Sequence, residues 1–487
     1  MTNFKKIILA GTLSISGFYF AQDVSVIRNT LDVYSNDHSN GTAKNMAMAG
    51  SMGALGGDLS AIATNPAAAG VFISGTWSAT LSVNSSKTSS KHANNTLNYD
   101  NTLTKLGQIG GMLSFDPSDV NSKWKMVNLA FNYSNTSIDD YIETPGNHNI
   151  YLTRYAENPS TGTIGIQDLT DYKYNGHAYN RYGNKSNLNI ALGANYDHKV
   201  YIGGALNFKS VDIEQGDVFQ LLNTSLDSTT GLPVNILGTF GKQYTPYTEN
   251  STGFSASVGA IGKINNNFRV GVSIETPTFW SIDRTYTDYY LDSANNWSSD
   301  VYNENVRLTT PFKTTLSLGL VANKNFALNV DYTQALSTPK YKTDSGADSQ
   351  LNDYFSNSYK KESEIRVGGE YRVNAFRLRA GYAYRNSPLK SETLSVAPIN
   401  GGEESATNIA NPYLGSRQIL SGGIGYDFKS FYIDAAIQNV TTKFDNAFGA
   451  GEYGSVSSDY GFDSVKSITS SVKQRNNNFL LTFGWKF

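Results

Sequence analysis

The sequence predicts an all-β protein, a transmembrane antiparallel β-barrel of about fourteen strands with a short N-terminal hatch, or plug, inside the lumen. Three observations carry this. The chain ends on an aromatic strand, with Phe479, Leu481, Phe483, Trp485 and Phe487 on one face and Leu480, Thr482, Gly484 and Lys486 on the other. Segments of period-two alternation recur at the length a tilted membrane strand needs. The connections between them alternate between tight and long after the third strand, the rhythm of short periplasmic turns and long outer loops.

The first 21 residues read as an export signal. Lys5 and Lys6 precede the apolar stretch Ile7 to Phe20, and Ala21-Gln22 supplies a small residue at the cut. The Ala-Gln end resembles signal peptides of Bacteroidetes exported proteins. No apolar run after it reaches the roughly 20 residues of a spanning helix.

Residues 22–72 do not alternate. They hold Met46, Met48 and Met52 in a run rich in glycine and alanine, followed by Asn65-Pro66-Ala67. Small residues let backbones approach closely, and Met fills irregular apolar space. The segment is too short for a core of its own and is expected to pack inside walls supplied by the rest of the chain.

Residues 73–487 are expected to form the barrel. The strand candidates are 73–84, 107–116, 125–134, 187–197, 199–211, 252–264, 266–276, 311–322, 324–335, 362–373, 375–386, 416–428, 430–440 and 477–487. Tight turns such as Asn323-Lys324 and Val373-Asn374 join some of them. Long polar stretches, about 135–186, 212–251, 277–310, 336–361, 387–415 and 441–476, are expected to be outer loops. The two faces segregate as a membrane wall requires. In 362–373, Ile365, Val367 and Tyr371 oppose Glu364, Arg366, Glu370 and Arg372; in 375–386, Phe376, Leu378 and Tyr382 oppose Arg377, Arg379 and Arg385. Arg or Lys on the lipid face costs about 2–4 kcal/mol at midplane, so these charges are expected on the lumen wall. Tyr371, Tyr382, Tyr384, Tyr426 and Trp485 fall near strand ends, where aromatic girdles form.

Composition excludes several classes. There is no cysteine, so disulfides, cysteine metal sites and a lipid-anchored cysteine are absent. Charged residues make up 16% with a net charge of −2, and no basic stripe points to nucleic acid. The five histidines, His38, His92, His148, His177 and His198, show no paired metal-ligand spacing and no triad placement. Neither an enzyme nor a cofactor is expected.

The run Met48 to Leu55, then Asp58 to Ala67, resembles the start of the FadL/TodX outer-membrane transporters, in which an Asn-Pro-Ala motif closes a hatch before the first strand. Phe268 to Ser273 with Thr276-Pro277, Leu308 to Pro311, Arg366 to Arg372, Arg379 to Tyr384 with Ser387-Pro388, and Leu420 to Tyr426 resemble later strands of that family in order and spacing. The resemblance implies passive uptake of hydrophobic compounds across the outer membrane, with long-chain fatty acids as the best-known cargo. It implies an apolar lumen site and hatch movement. It implies lateral exit in some members, through a kink in the third strand; here 125–134 lacks the glycine often used there, though Asn132 or Ser134 would tolerate a bulge.

The site residues expected on this basis are Met46, Met48, Met52, Leu55, Leu59 and Ile62 for an alkyl ligand, which gains about 0.8 kcal/mol per buried CH₂. A carboxylate head group needs a cation, and Arg366, Arg372, Arg377 and Arg379 are the candidates, against a structural ladder with Glu364 and Glu370. Phe483, Trp485 and Phe487 resemble the signal read by the barrel assembly machinery. The expected partners are hydrophobic small molecules, outer-membrane lipid and that machinery, around a monomer. The competing readings are a surface protein using its loops as adhesin or receptor, and a general porin.

Overall fold

The computed structural model describes residues 25–36, 40–117, 122–157, 164–226, 233–241, 247–291, 297–343, 348–396, 405–449, 460–462 and 468–487. The export signal lies outside them. Fourteen wall strands close on themselves: β1 Thr76–His92, β2 Asn95–Phe115, β3 Trp124–Glu157, β4 Ile164–Tyr196, β5 Val200–Leu226, β6 Tyr247–Lys263, β7 Phe268–Glu275 continued by Phe279–Leu291, β8 Trp297–Thr309 continued by Lys313–Val321, β9 Phe326–Ala335 continued by Lys340–Thr343, β10 Ser363–Val373, β11 Phe376–Arg385, β12 Arg417–Asp427, β13 Phe431–Gly449 and β14 Ile468–Lys486. Each pairs antiparallel with its neighbour, and β14 pairs with β1 in the register Trp77↔Trp485, Leu81↔Leu481, Lys91↔Ser471. Pairing the first strand with the last removes the two free edges an open sheet would present to lipid, where unsatisfied backbone groups are costly.

All fourteen expected strands are present, but much of what reads as outer loop is strand. β3 and β4 continue their ladder from Asn135↔Ser186 to Glu157↔Ile164, and β13 and β14 pair beyond Thr441↔Arg475. The physical reason is that the wall leaves the lipid there. Water meets the outer face, so the outward apolar half of the alternation disappears while the backbone ladder goes on; the inner face stays packed, with Ile142, Tyr179, Phe444 and Val472 buried together. Residues 85–106 correct the same way: they form the outer arms of β1 and β2, which turn at Ala93.

The lipid belt is the short zone where outward side chains are apolar. Phe268, Val270, Val272 and Ile274 of β7 are exposed, as are Ile365, Tyr371 and Val373 of β10 and Phe479, Leu481, Phe483 and Trp485 of β14. A line of aromatic contacts follows its periplasmic rim. Phe376 meets Tyr426 edge-on at 4.8 Å, Phe428 stacks on Phe431 at 4.3 Å, and Phe431 lies 5.6 Å from Trp485. The last residue joins this rim, its backbone N–H donating to the carbonyl of Gly75 at 3.0 Å.

Three neighbouring strands break at one height, at residues 276–278 in β7, 310–312 in β8 and 336–339 in β9. Pro277, Pro311 and Pro339 sit in these breaks, where a missing N–H is least costly. Threonines bridge the gap: the N–H of Thr278 donates to Thr310 Oγ1 at 2.9 Å and the N–H of Thr310 to the carbonyl of Thr278 at 3.0 Å.

Residues 40–72 plug the membrane-level lumen as short helical turns: Ala43–Ala47, Leu59–Ala63 and Pro66–Val71. Their room comes from inward-facing glycines of eight wall strands, Gly193, Gly203, Gly259, Gly271, Gly319, Gly368, Gly381 and Gly423. A Cβ at Gly271 would stand 2.7 Å from the Gly53 carbonyl oxygen, and one at Gly423 2.7 Å from Ala47 Cβ. At Gly203 and Gly381 it would overlap the backbones of Pro66 and Met48. These positions admit only glycine because another backbone lies against them.

Candidate functional site

Two regions fill the lumen, and they differ in chemistry. The outer one is apolar. Residues 25–34 are helical, with π-type bonding over Thr30–Tyr34. They bury Val26, Ile27, Leu31, Val33 and Tyr34 against Val211, Ile213, Trp280, Ile282, Val306, Leu308 and Phe355. The ring of Tyr34 meets Trp280 edge-on at 5.0 Å. Each such side chain contributes about 1.5–3 kcal/mol of gross burial.

Polar clamps fix this helix at both ends. Arg28 lies over the rings of Tyr179 and Phe444 at 4.8 and 4.9 Å. Asn29 donates to Gln215 Oε1 at 3.1 Å and to the Tyr247 hydroxyl at 3.0 Å. The fully buried Arg181 donates to Asn29 Oδ1 and to Asp32 Oδ2, each at 2.5 Å, and pairs with Asp140. Burial alone would raise the Asp32 carboxyl; the opposing charges of Arg181, Arg28 and Arg417 override it and hold it down to about 2. Lys185 donates to the carbonyls of Val33 and Asn36 at 2.6 Å, and Lys313 to that of Ser35 at 2.7 Å. Tyr34 donates to Glu249 at 2.6 Å.

The hatch lies below, and its motif is tied by side-chain bonds. Asn65 Oδ1 accepts from the N–H of Ala67 at 3.1 Å, while Nδ2 donates to the carbonyls of Gly53 at 2.8 Å and Ala260 at 3.3 Å. Pro66 occupies the first position of the turn that follows, where its lost N–H was unneeded. Pro66 and Ala67 are buried against β5. Asp58 caps the preceding turn at Ser60 N and accepts from the Thr42 hydroxyl at 2.7 Å.

Between the two lies a cavity of about 280 Å³. Hatch residues Gly41, Met46, Ala49, Gly50 and Thr64 bound it on one side and Asp32, Val33 and Asn36 on the other; Asn132, Asp139, Lys209, Glu275, Glu364, Arg366, Arg385 and Arg417 are among its walls. Of the six hatch residues expected to line an apolar site, only Met46 reaches this cavity. Met48, Met52, Leu59 and Ile62 are sealed in a core with Met112, Ala130 and Ala191 of the wall, and Leu55 packs on its margin.

The lumen charges sort into two groups. Arg379 donates to Glu370 at 2.7 Å and to Asp434 at 2.6 Å; Arg372 adds a bond to Glu370 at 2.6 Å, and Arg377 stands 3.6 Å from Asp427. These form the structural ladder. Glu364 and Arg366 line the cavity instead, and with them two arginines outside the expected set, Arg385 and Arg417. Arg385 and Arg417 face each other across β11 and β12. The Nε atoms of Arg366, Arg385 and Arg417 are all buried without a hydrogen-bond partner. Alternation puts Arg385 on the inward face, but that Arg417 shares its level depends on the register across a long loop.

The wall has one side that backbone bonds do not close. β2 and β3 pair only from Phe115↔Val127 to Gln108↔Ser134. Above that row β2 follows β1 and β3 follows β4. The cause is a bulge at Gly107, where the β1–β2 register slips between Thr80↔Gln108 and Leu81↔Leu106. Within the third strand's 125–134 the register slips only at Lys125, at its periplasmic end, so the irregularity at this margin lies in the second strand. Among the described residues, side chains alone join β2 to β3 across the margin: Asn101 donates to Asp139 at 2.8 Å, Lys105 to Asn135 at 3.4 Å, and the Tyr99 and Tyr141 rings lie 4.6 Å apart. Leu103 of the arm and Asn132 and Thr136 of β3 line the cavity, so it reaches this margin.

Comparison with known proteins follows the same outline. The family described as outer membrane protein transport protein (OMPP1/FadL/TodX) matches residues 170–449, more than half of the 487-residue chain. A FadL homologue of Pseudomonas aeruginosa is 12% identical, with a TM-score of 0.55 over 92% of this chain and 98% of that one. The toluene transporter TodX of P. putida is 14% identical, with a TM-score of 0.54 over 93% and 99%. At such identities the structural likeness speaks for the fold alone. No curated protein matches the chain.

Proposed function

Because the chain belongs to the OMPP1/FadL/TodX family of outer-membrane transport proteins, we propose that it is a channel for passive uptake of hydrophobic small molecules. The observation that carries this reading is the β2–β3 margin, where the cavity meets the wall at a place held by side chains alone. The foot of that margin adjoins the top of the lipid belt, where Leu106 is exposed beside Leu81, so a compound leaving there reaches lipid with little apolar surface rehydrated on the way. The hatch residues Met46, Met48, Met52, Leu55, Leu59 and Ile62 would act as the movable floor, with Met46 alone touching cargo before the hatch shifts.

The cargo is further proposed to be an amphiphile with an acidic head, such as a long-chain fatty acid. Arg366 and Arg417 support this: both line the cavity, and each leaves a buried guanidinium nitrogen unpaired. Among the expected cations, Arg372, Arg377 and Arg379 are already committed to carboxylates.

The test is uptake of labelled fatty acid and of toluene by cells with and without the protein. Lys105→Cys with Asn135→Cys, bridged by a short reducible cross-linker, should stop uptake, and reduction should restore it; the native chain has no cysteine to interfere. Arg417→Ala should slow the acid about tenfold relative to toluene, the worth of one charge-assisted hydrogen bond, ~1.4 kcal/mol. Uptake no faster than in cells lacking the protein would defeat the transport reading.

A further inference from the structure

Just above the lipid belt, the outer surface carries cations placed directly against one another. On β1, β13 and β14 the highest apolar row is Val83, Phe479 and Ile437. The next outward row is polar: Ser85, Asn477 and Asn439. Above it Lys87 stands opposite Arg475, and one row further Lys473 stands opposite Lys443. Strand parity turns all four outward, on the face that carries Trp77, Phe483 and Ile437 below.

Like charges directly opposite on antiparallel strands are destabilising. Here two such pairs adjoin, and none of the four cations has an ion-pair partner among the described residues. Among the described residues the acids paired with or beside these rows are Asp100, across from Lys87 on β2, and Asp445, which accepts from the Ser471 hydroxyl at 3.1 Å. They leave the patch net positive. Crowding by Arg475, then slight burial and Lys443, lowers the Lys473 ammonium. The remedy for such crowding is an anion shared between the rows.

The height of the patch identifies that anion. Lys87 lies four residues above Val83, roughly 10 Å at the tilt of a membrane strand. That is headgroup depth, and long Lys and Arg stems can lean down toward it. Arginine and lysine together suit a phosphate, one by its planar fork and the other as a point charge. We propose that Lys87, Lys443, Lys473 and Arg475 bind the phosphorylated headgroup of an outer-leaflet lipid, fixing this side of the barrel in the membrane. The proposal rests on the barrel's place in the outer membrane and is independent of what the lumen carries.

A change of sign tests it. The protein, purified and reconstituted into vesicles, is compared with its Lys473→Gln and Lys443→Gln variants by unfolding temperature. In vesicles of neutral lipid alone, either variant should unfold at a higher temperature than the parent, because repulsion is relieved. In vesicles doped with a phosphorylated glycolipid, the parent should rise by several degrees and the variants should fall below it. Removing the lipid's phosphates should abolish the rise. The same sign in both lipids, or an equal rise with the dephosphorylated lipid, would overturn the site. An equal rise from inorganic phosphate in neutral vesicles would overturn the assignment to a lipid. Retained heat-modifiable migration on gels confirms that each variant is folded.

Discussion

Asn65 is the smallest unit on which the closed state depends. Its amide does three tasks: the oxygen caps the turn at Ala67, and the nitrogen ties two carbonyls, Gly53 within the hatch and Ala260 in the wall. A wall glycine, Gly259, stands opposite and leaves it room. Asn65→Ala should therefore loosen the hatch by about 1–3 kcal/mol, the range for a lost cap with buried polar partners left behind. Asn65→Asp keeps the acceptor but turns a donor into an anion beside two carbonyl oxygens, so it should be at least as damaging. Limited proteolysis of the hatch reads both. Equal protection of Asn65→Asp and the parent would show that the donor is not used. The barrel's own unfolding temperature should barely move, because wall strands bond to each other.

At the scale of elements, the N-terminal helix is the piece whose hold depends on pH. The Asp32 carboxyl is lowered from its ordinary 3.8 to about 2, so its contribution is complete above pH 4 and is lost as pH falls through about 2. Emission of Trp280, which touches Tyr34, should change over that window. Asp32→Asn should remove the change and weaken docking by about 1–3 kcal/mol at neutral pH, the worth of one charge-assisted bond. A transition that persists in Asp32→Asn would assign it to another group. Sequence reading reached the fourteen strands because each crosses lipid, where period two is enforced by the cost of a misplaced charge. It missed this helix because residues 25–34 bury apolar groups against short inward pairs, Val211 and Ile213, Trp280 and Ile282, Val306 and Leu308, which are too brief to stand out within long polar stretches. It found the hatch by its small residues and Asn-Pro-Ala. Of the cavity arginines it named Arg366; Arg385 and Arg417 escaped it for a different reason: the three meet only through the register of three strands, and a single strand's alternation does not reveal which inward charge is already paired. The Gly107 bulge escaped because one glycine in a strand reads the same whether it bends the strand or makes room.

For the whole molecule, the division of hydrogen bonds between wall and plug decides what happens when the plug is removed. Every wall strand ladders to two neighbours along the belt, from β1–β2 through β13–β14 and back to β1. The hatch touches that wall through side chains, such as Ser421 to the carbonyl of Ala47, Ser273 to that of Thr64, and Asn128 to those of Ala69 and Phe72. The wall therefore does not need the hatch to satisfy its backbone, whereas the hatch, lacking a core of its own, needs the wall. Deleting residues 40–64 should leave a barrel that still folds and resists heat, though less well, with Met112 and Ala130 uncovered. Its inward glycines would then face water, and the lumen would be open along its axis. Sugar flux into liposomes should rise from background in the parent to that of an open porin in the deletion. The parent should stay at background even when its hydrophobic cargo is present, because a lateral path never opens the axis. Rapid sugar flux through the intact parent would mean that the plug does not seal the lumen, and a general porin would replace the selective channel as the better description.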